Sequence, residues 1–502
     1  MERRSVWLAT AKLPIFSALN ADLEVDLAVV GGGIVGLTTA LLAQQEGARV
    51  AVLEGARIGA GTTGYTTGKV TSQHSLIYAD LLDRHGEDLA RRYADANQAG
   101  VEKVAELATE YDIDCELTRA PAFAYTRSAD QRSRIEAEVE AAKQLGLPGS
   151  LTTDVGLPFS VEGAVRFDDQ LHFHAGKYLA GLARAFIASG GQVYDATRVT
   201  EIEDQLDQTV RLTTESGAVR AAQVVVATLL PPGLTGGYFA KTRPSRSYAL
   251  AARLAGEPPP GMTISVDQPG RSTRPWGDHG LIIVGNGHEV GAEPDTEGRY
   301  RDLEDWARST FDVESVEYRW SAQDYATPDH LPYVGRSPLS FLTLVATGFQ
   351  KWGLSNGTAA AIMLSDLMSA RENPWLPAFD ATRIGDAKAV GKLIVDNTKV
   401  GSEFVGGRLH RDVVPAEQLA PGEGGVVEID GKKVGGYRDA AGVLHAVGLT
   451  CTHLGCPLHW NPGDISWDCR CHGSRFDVDG SIVNGPAVKP LEVHEVTNTP
   501  PS

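Results

Sequence analysis

Hydrophobic positions in this chain change period several times, and each change predicts an element. Residues 27–30 form a short apolar run that ends on Gly31. Apolar positions at helical spacing follow as far as Gly47, and a second apolar run, 49–53, ends on Glu54. Strand, helix and strand are predicted. Residues 79–145 read as helical with charged, solvated faces, around a lone Cys115 that reads as a buried core thiol. Residues 164–228 return to a βαβ pattern: a helix ending near Gly190, a strand over 192–202, and two strands turning at Ser216 and Gly217. Residues 245–325 are strand-rich, with Gly285-x-Gly287 read as a turn. Residues 344–368 predict strand, glycine-rich turn and helix, and a mixed connection over 371–400 with Pro374 and Pro377 marks a domain boundary. Residues 401–498 are glycine-rich and strand-patterned.

The first βαβ unit carries chemistry. Gly31-x-Gly33-x-x-Gly36 lies between strand and helix, the context a dinucleotide fingerprint requires. Gly31 permits the tight turn, Gly33 lets a pyrophosphate approach the helix N-terminus, and Gly36 lets helix and strand pack closely. Glu54, at the end of the second strand, is placed to accept hydrogen bonds from ribose hydroxyls. The loop 55–72 is rich in Gly, Thr and Ser, suited to bringing backbone N–H groups and hydroxyls to a ligand. His172 and His174 alternate as a metal pair would, but no carboxylate or cysteine joins them at a convincing spacing.

Composition bounds the partners. The chain has 502 residues, enough for two to four domains at roughly 100–200 residues each. A net charge of −18 argues against a general binder of nucleic acid or anionic membrane. The N-terminus has no apolar core of signal-peptide length and no run is long enough to span a bilayer. Five cysteines suit a reducing compartment. A cytoplasmic protein without membrane insertion is expected.

Residues 451–474 read CTHLGCPLHWNPGDISWDCRCHGS and hold four of those five cysteines and three of thirteen histidines. Structural zinc, a pair of disulfides, buried thiols and an iron–sulfur centre all compete for such a stretch. Zinc is disfavoured because Cys451-x-His453 is tighter than the usual finger spacing and leaves Cys456 and Cys471 unexplained. The stretch closely resembles the Rieske 2Fe-2S family, whose two ligand boxes match Cys451-x-His453 and Cys469-x-x-His472. Gly455, Pro457, Trp467, Gly473-Ser474 and Gly485-Pro486-Ala487 match as well. The resemblance implies that Cys451 and Cys469 hold one iron, that His453 and His472 hold the other, and that Cys456 and Cys471 form a disulfide. High-potential members have a tyrosine where this chain has Phe476, so a lower potential is expected here although Ser474 is present.

Residues from about 7 to 380 resemble the D-amino-acid oxidase-like family of FAD enzymes, through 26–54, Gln170 to Leu179, VVVAT at 224–228, TPDHLPYVG at 327–335 and ATGFQKWGLSNGTAAA at 346–361. The implied fold is α/β, a Rossmann-like FAD domain (1–90, 150–240, 326–380) interleaved with an antiparallel-sheet substrate domain (91–149, 241–325). A linker (381–400) and an all-β Rieske domain (401–502) would follow. By position, Gly31, Gly33, Gly36 and Glu54 would hold the ADP part. Thr62, Thr63 and Gly64 would lie near the pyrophosphate or flavin, Val199 beside the adenine, and Gly348, Asn356, Gly357 and Thr358 at the pyrimidine edge. Many members have Gly-His-Gly where Lys351-Trp352-Gly353 stands. Lys351 or Lys69 would stabilise reduced flavin or bind a substrate carboxylate. The expected activity is oxidation of a C–N bond of a small amine or amino acid by hydride transfer to FAD, with single electrons leaving through the cluster to an external carrier. A cluster-fed flavin reductase and a redox sensor or interaction module are the alternatives. A ring-hydroxylating oxygenase lacks its mononuclear iron ligands in this sequence.

Overall fold

The computed structural model describes residues 1–338, 340–385, 387–406 and 413–495. The apolar run 27–30 is the buried end of strand Leu23–Val30, which pairs in parallel with Val50–Leu53 on one side and Ala218–Val226 on the other. Both faces of a central parallel strand are covered, so an unbroken apolar run fits there. Thr343–Thr347 extends the sheet in parallel beyond Ala218–Val226, Tyr333–Arg336 closes that edge antiparallel, and Gln192–Tyr194 closes the other. Helix Ile34–Gln45 is apolar nearly all round because it is enclosed, packing on the sheet and on helices Ala175–Ala188 and Gly353–Met368.

A second, nine-stranded sheet faces the first. Its order runs Val313–Ala326, Arg243–Leu254, Gly280–Glu289, Arg271–Trp276, Met262–Ser265, Thr118–Thr126, Gly163–His172, Lys69–Val70, with Gly149–Thr152 beside Gly163–His172. Its pairing is antiparallel except between Met262–Ser265 and Thr118–Thr126. Sequence-distant segments meet in it: Lys69–Val70, soon after the fingerprint, pairs here with Gly163–His172. The interleaved α/β fold is thus present, followed by a C-terminal β region of one three-stranded and one four-stranded antiparallel sheet.

Several local expectations are corrected. The helical reading of 79–145 holds for Tyr78–Glu110 and Arg132–Gln144, but Thr118–Thr126 between them is a strand. The strand read over 192–202 breaks after Tyr194, where buried Asp195 turns to accept the N–H groups of Phe16 and Ile58. Gly285-x-Gly287 is no turn. Strand Gly280–Glu289 runs through it, and the glycines give room: a Cβ at Gly285 would lie 2.7 Å from the Gly270 carbonyl oxygen, and one at Gly287 would lie 3.0 Å from Lys351 Nζ. Helix Thr296–Thr310 was not expected because its buried face is only Thr296, Tyr300, Leu303 and Ala307. Most of the 381–400 connection is occupied by the start of helix Ala387–Gly406. Residues 407–412 and 496–502 of the expected C-terminal domain lie outside the described residues. No described helix is long and apolar enough to cross a membrane.

Candidate functional site

The fingerprint opens onto a cavity of about 710 Å³ that runs between the two large sheets. Gly31 has φ +108°, and a Cβ there would meet the Ala227 carbonyl oxygen at 2.7 Å. A Cβ at Gly36 would fall 1.9 Å from the Gly31 carbonyl oxygen, so this glycine seats the helix on the strand and does not line the cavity. Gly33 caps helix Ile34–Gln45, whose N-terminus faces the cavity where an anion is favoured. Glu54 Oε2 and Oε1 accept the N–H groups of Gly32 and Ala56, each at 2.8 Å. Burial raises its pKa, those N–H groups acting in opposition.

The loop residues divide. Thr62 and Thr63 line the cavity, with Thr63 Oγ1 accepting the Ile34 N–H at 3.2 Å and Thr62 Oγ1 donating to the Gln323 carbonyl at 2.9 Å. Gly64 instead backs onto Gly59, and Val199 lines the wall beside Arg198. Gly348, Asn356, Gly357 and Thr358 stand behind the lining. Gly348 turns at φ +81° against Thr327, Asn356 Nδ2 donates to Tyr93, Gly357 packs on Val35, and Thr358 bonds the Leu354 carbonyl. The helix reaches the cavity one turn earlier, at Gly353 and Leu354.

Toward the antiparallel sheet the lining becomes cationic and aromatic. Lys69 Nζ donates to the Thr263 carbonyl at 2.9 Å and to Ser272 Oγ. Burial, reinforced by Arg274, brings its pKa down to about 7. Lys351 sits at φ +72°, donates its backbone N–H to Asp324 and its Nζ to Ser247 Oγ at 2.9 Å. Burial lowers its pKa too. Beside it Trp352 stacks on buried His74, ring centroids 4.7 Å apart, and His74 is held by Tyr93 and Ser355. Nothing local in the sequence singled out His74. The alternating His172 and His174 bond Arg274 and Thr10, as structural histidines do.

The cysteine–histidine stretch folds into two loops whose tips meet. Cys456 and Cys471 form a disulfide, leaving Cys451 and Cys469 as buried thiols. The rings of His453 and His472 lie with centroids 5.0 Å apart. Nδ1 of each is buried, with no hydrogen-bond partner among the described residues. His453 Nε2 lies 3.0 Å from the Gly233 carbonyl oxygen, so it carries the proton and leaves the lone pair on Nδ1. Two thiols and two imidazole nitrogens are the donor types that a Rieske centre requires. Phe476, at the tyrosine position of high-potential members, is fully buried.

Residues 26–367 match the family model described as FAD dependent oxidoreductase, and residues 410–495 match that of the Rieske [2Fe-2S] domain. The chain belongs to the FAD dependent oxidoreductase family. YhfW of Bacillus subtilis (strain 168), named as a Rieske 2Fe-2S iron-sulfur protein, is 37% identical over 97% of this chain and 96% of its own. Gamma-glutamylputrescine oxidoreductase of Escherichia coli (strain K12) is 30% identical across 44% of this chain and 53% of its own. Among solved structures, glycine oxidase from Geobacillus kaustophilus superposes with TM-score 0.61 at 20% identity, covering 72% of this chain and 99% of that one. L-proline dehydrogenase from P. horikoshii gives TM-score 0.62 at 18% identity, covering 72% and 98%. The cofactors are accordingly FAD and a 2Fe-2S cluster.

In this oxidoreductase the Rieske domain is docked on the flavin domain with its ligand tips turned inward. Phe239 meets both histidine rings edge-on, at 5.1 and 5.0 Å. The Tyr325 hydroxyl donates to the His472 carbonyl at 3.0 Å, and Gln323 Nε2 donates to the Gly473 carbonyl at 2.7 Å. Fully buried Arg246 pairs with Asp464 and Asp468, which Arg475 also contacts at 3.1 and 3.2 Å. Thr296 bonds Asn461 and the Gly463 N–H, adding a polar contact to the same interface. The contacts that cross between the two domains were not visible as pairs in the sequence, since each joins residues more than a hundred positions apart.

Proposed function

We propose that this chain oxidises a C–N bond of a small amine or amino acid and delivers the electrons to an external one-electron carrier through its own Rieske domain. FAD supplies two-electron hydride acceptance, and the 2Fe-2S cluster supplies one-electron transfer. Gly31, Gly33, Glu54, Thr62, Thr63 and Val199 would hold the dinucleotide, with Gly36, Gly64, Gly348, Asn356, Gly357 and Thr358 shaping the elements behind it. Cys451 and Cys469 would hold one iron and His453 and His472 the other. Lys69 and Lys351, at the antiparallel-sheet end, would bind a substrate carboxylate or offset negative charge on reduced flavin.

The supporting observation is one shared segment. Leu230 and Pro232 line the cavity, and Gly233, next in the chain, accepts the hydrogen bond of His453. A wall common to both centres suits electron passage within one molecule. The test is an anaerobic absorbance titration with amines and amino acids, following flavin and cluster bands together. Flavin bleaching followed by cluster reduction supports the reading. If no compound bleaches the flavin while reduced ferredoxin reduces both centres, the chain is a cluster-fed reductase.

A further inference from the structure

The cavity is not built by the flavin domain alone. Val483, Asn484, Gly485, Ala487 and Val488, all from the Rieske domain, line it together with Glu54, Gly55 and Arg198. We propose that the Rieske loop 482–488 is part of the FAD-binding site, closing over the dinucleotide so that FAD retention depends on the docked Rieske domain.

Three anchors hold the loop against segments of the cofactor site. Arg198 Nη2 donates to the Ile482 carbonyl and to the Gly55 carbonyl, each at 3.4 Å, and Gly55 directly follows the ribose-side acid Glu54. The Gly233 N–H donates to the Pro486 carbonyl at 2.9 Å, one residue beyond cavity-lining Pro232. The Tyr325 hydroxyl reaches the Gly485 carbonyl at 3.4 Å, next to cavity-lining Asp324. The same loop touches the other centre: the Ala487 N–H donates to Ser474 Oγ at 3.1 Å, two residues beyond His472. One seven-residue stretch therefore contacts both the dinucleotide cavity and the second of the cysteine–histidine loops. Ligand bound against one face of such a loop restrains its other face, and linkage makes that restraint reciprocal.

Val483 offers a clean test because it lines the cavity while 44% exposed, so a charge placed there needs no burial. FAD carries a negatively charged pyrophosphate, so opposite charges at position 483 act in opposite directions. Full-length V483E and V483K, stripped of FAD with the cluster retained, are titrated with FAD by flavin fluorescence. Cluster absorbance and EPR spectra serve as folding controls. At low ionic strength V483E is expected to bind FAD about fivefold more weakly than wild type and V483K at least as tightly, the difference shrinking in high salt. Binding of both variants within about twofold of wild type, or equal weakening of both, would overturn the loop's role. Wild-type protein that fails to bind FAD would overturn the cofactor assignment as well, and is distinguished by the wild-type titration itself. A Val488→Trp variant, which fills the wall without adding charge, is expected to lose FAD with an unchanged cluster content, and full retention of FAD by it would also count against the proposal.

Discussion

His453 Nε2 stands 3.0 Å from the carbonyl oxygen of Gly233, so the outer tip of this imidazole ends on the flavin domain. That nitrogen is the one a Rieske domain has available for a partner once Nδ1 is committed to iron. Here it is engaged within the chain, and His472 beside it is 5% exposed. The contact fixes this face of the Rieske domain against the flavin domain.

Arg246 is fully buried at the same interface. It is buried with Asp464 and Asp468, and removing it leaves two buried carboxylates sharing Arg475. Breaking one partner out of a buried ion network costs about 3–5 kcal/mol. Arg246→Met should therefore lower the urea midpoint of the C-terminal domain and separate its unfolding from that of the flavin domain. An unchanged, single transition would contradict the role. Burial works against the charge of Asp464, but Arg246 and Arg475 outweigh it and hold the carboxyl down at about 2. A depressed folded-state pKa means full stabilisation above the unfolded value and loss as pH falls toward 2, so wild-type undocking is expected only in strong acid.

The sequence was most legible where chemistry is local. Gly31, Gly33 and Glu54 declare a dinucleotide turn because their spacing is fixed by one βαβ unit, and Cys451, His453, Cys469 and His472 lie within one pair of loops. Helix Thr296–Thr310 escaped because its buried face is thin, and Gly285 and Gly287 misled because glycine serves close approach as well as turning. The docking contacts escaped for a different reason. Arg246 and Asp464, or Gly233 and Pro486, are paired only by tertiary folding, and an isolated Arg or Gly carries no mark of its partner.

The disulfide is expected to hold the ligand loops together. Cys456 and Cys471 are 15 residues apart in sequence, and closing a loop of that size in the unfolded chain contributes about 3 kcal/mol. A Cys456→Ala/Cys471→Ala double variant should lose its cluster bands at a lower temperature than wild type while flavin absorbance persists. Coincident cluster loss in both proteins would show that the loops are held by other contacts.

Phe476 is expected to limit the cluster's potential. A hydroxyl added there by Phe476→Tyr would offer one more hydrogen bond to the more negative, reduced cluster. A net bond of about 1 kcal/mol corresponds to about 40 mV for a one-electron couple, in the positive direction. Protein-film voltammetry of the two proteins measures it. A potential that stays or falls would mean that the buried ring at this position is not oriented toward the cluster sulfurs.

Lys69 ties substrate charge to pH. Burial and nearby Arg274 bring its pKa down to about 7, from the ordinary 10.5. The unfolded chain therefore binds more protons than the folded one between those values, and this residue makes stability rise with pH across that range. Binding has the opposite sign. Only protonated Lys69 attracts a carboxylate, so KM for an acidic substrate should rise about fivefold from pH 7 to pH 8 as the proton is lost. Deprotonation of the substrate amine acts on the same interval, so the comparison to make is wild type against Lys69→Met with the same acidic substrate, in which the amine's contribution cancels. Lys69→Met should weaken the acid at pH 7, and the ratio of the variant's KM to that of wild type should fall about fivefold by pH 8. If that ratio stays level with pH, Lys69 does not read the carboxylate, and Lys351 on the same cavity wall becomes the residue to replace next.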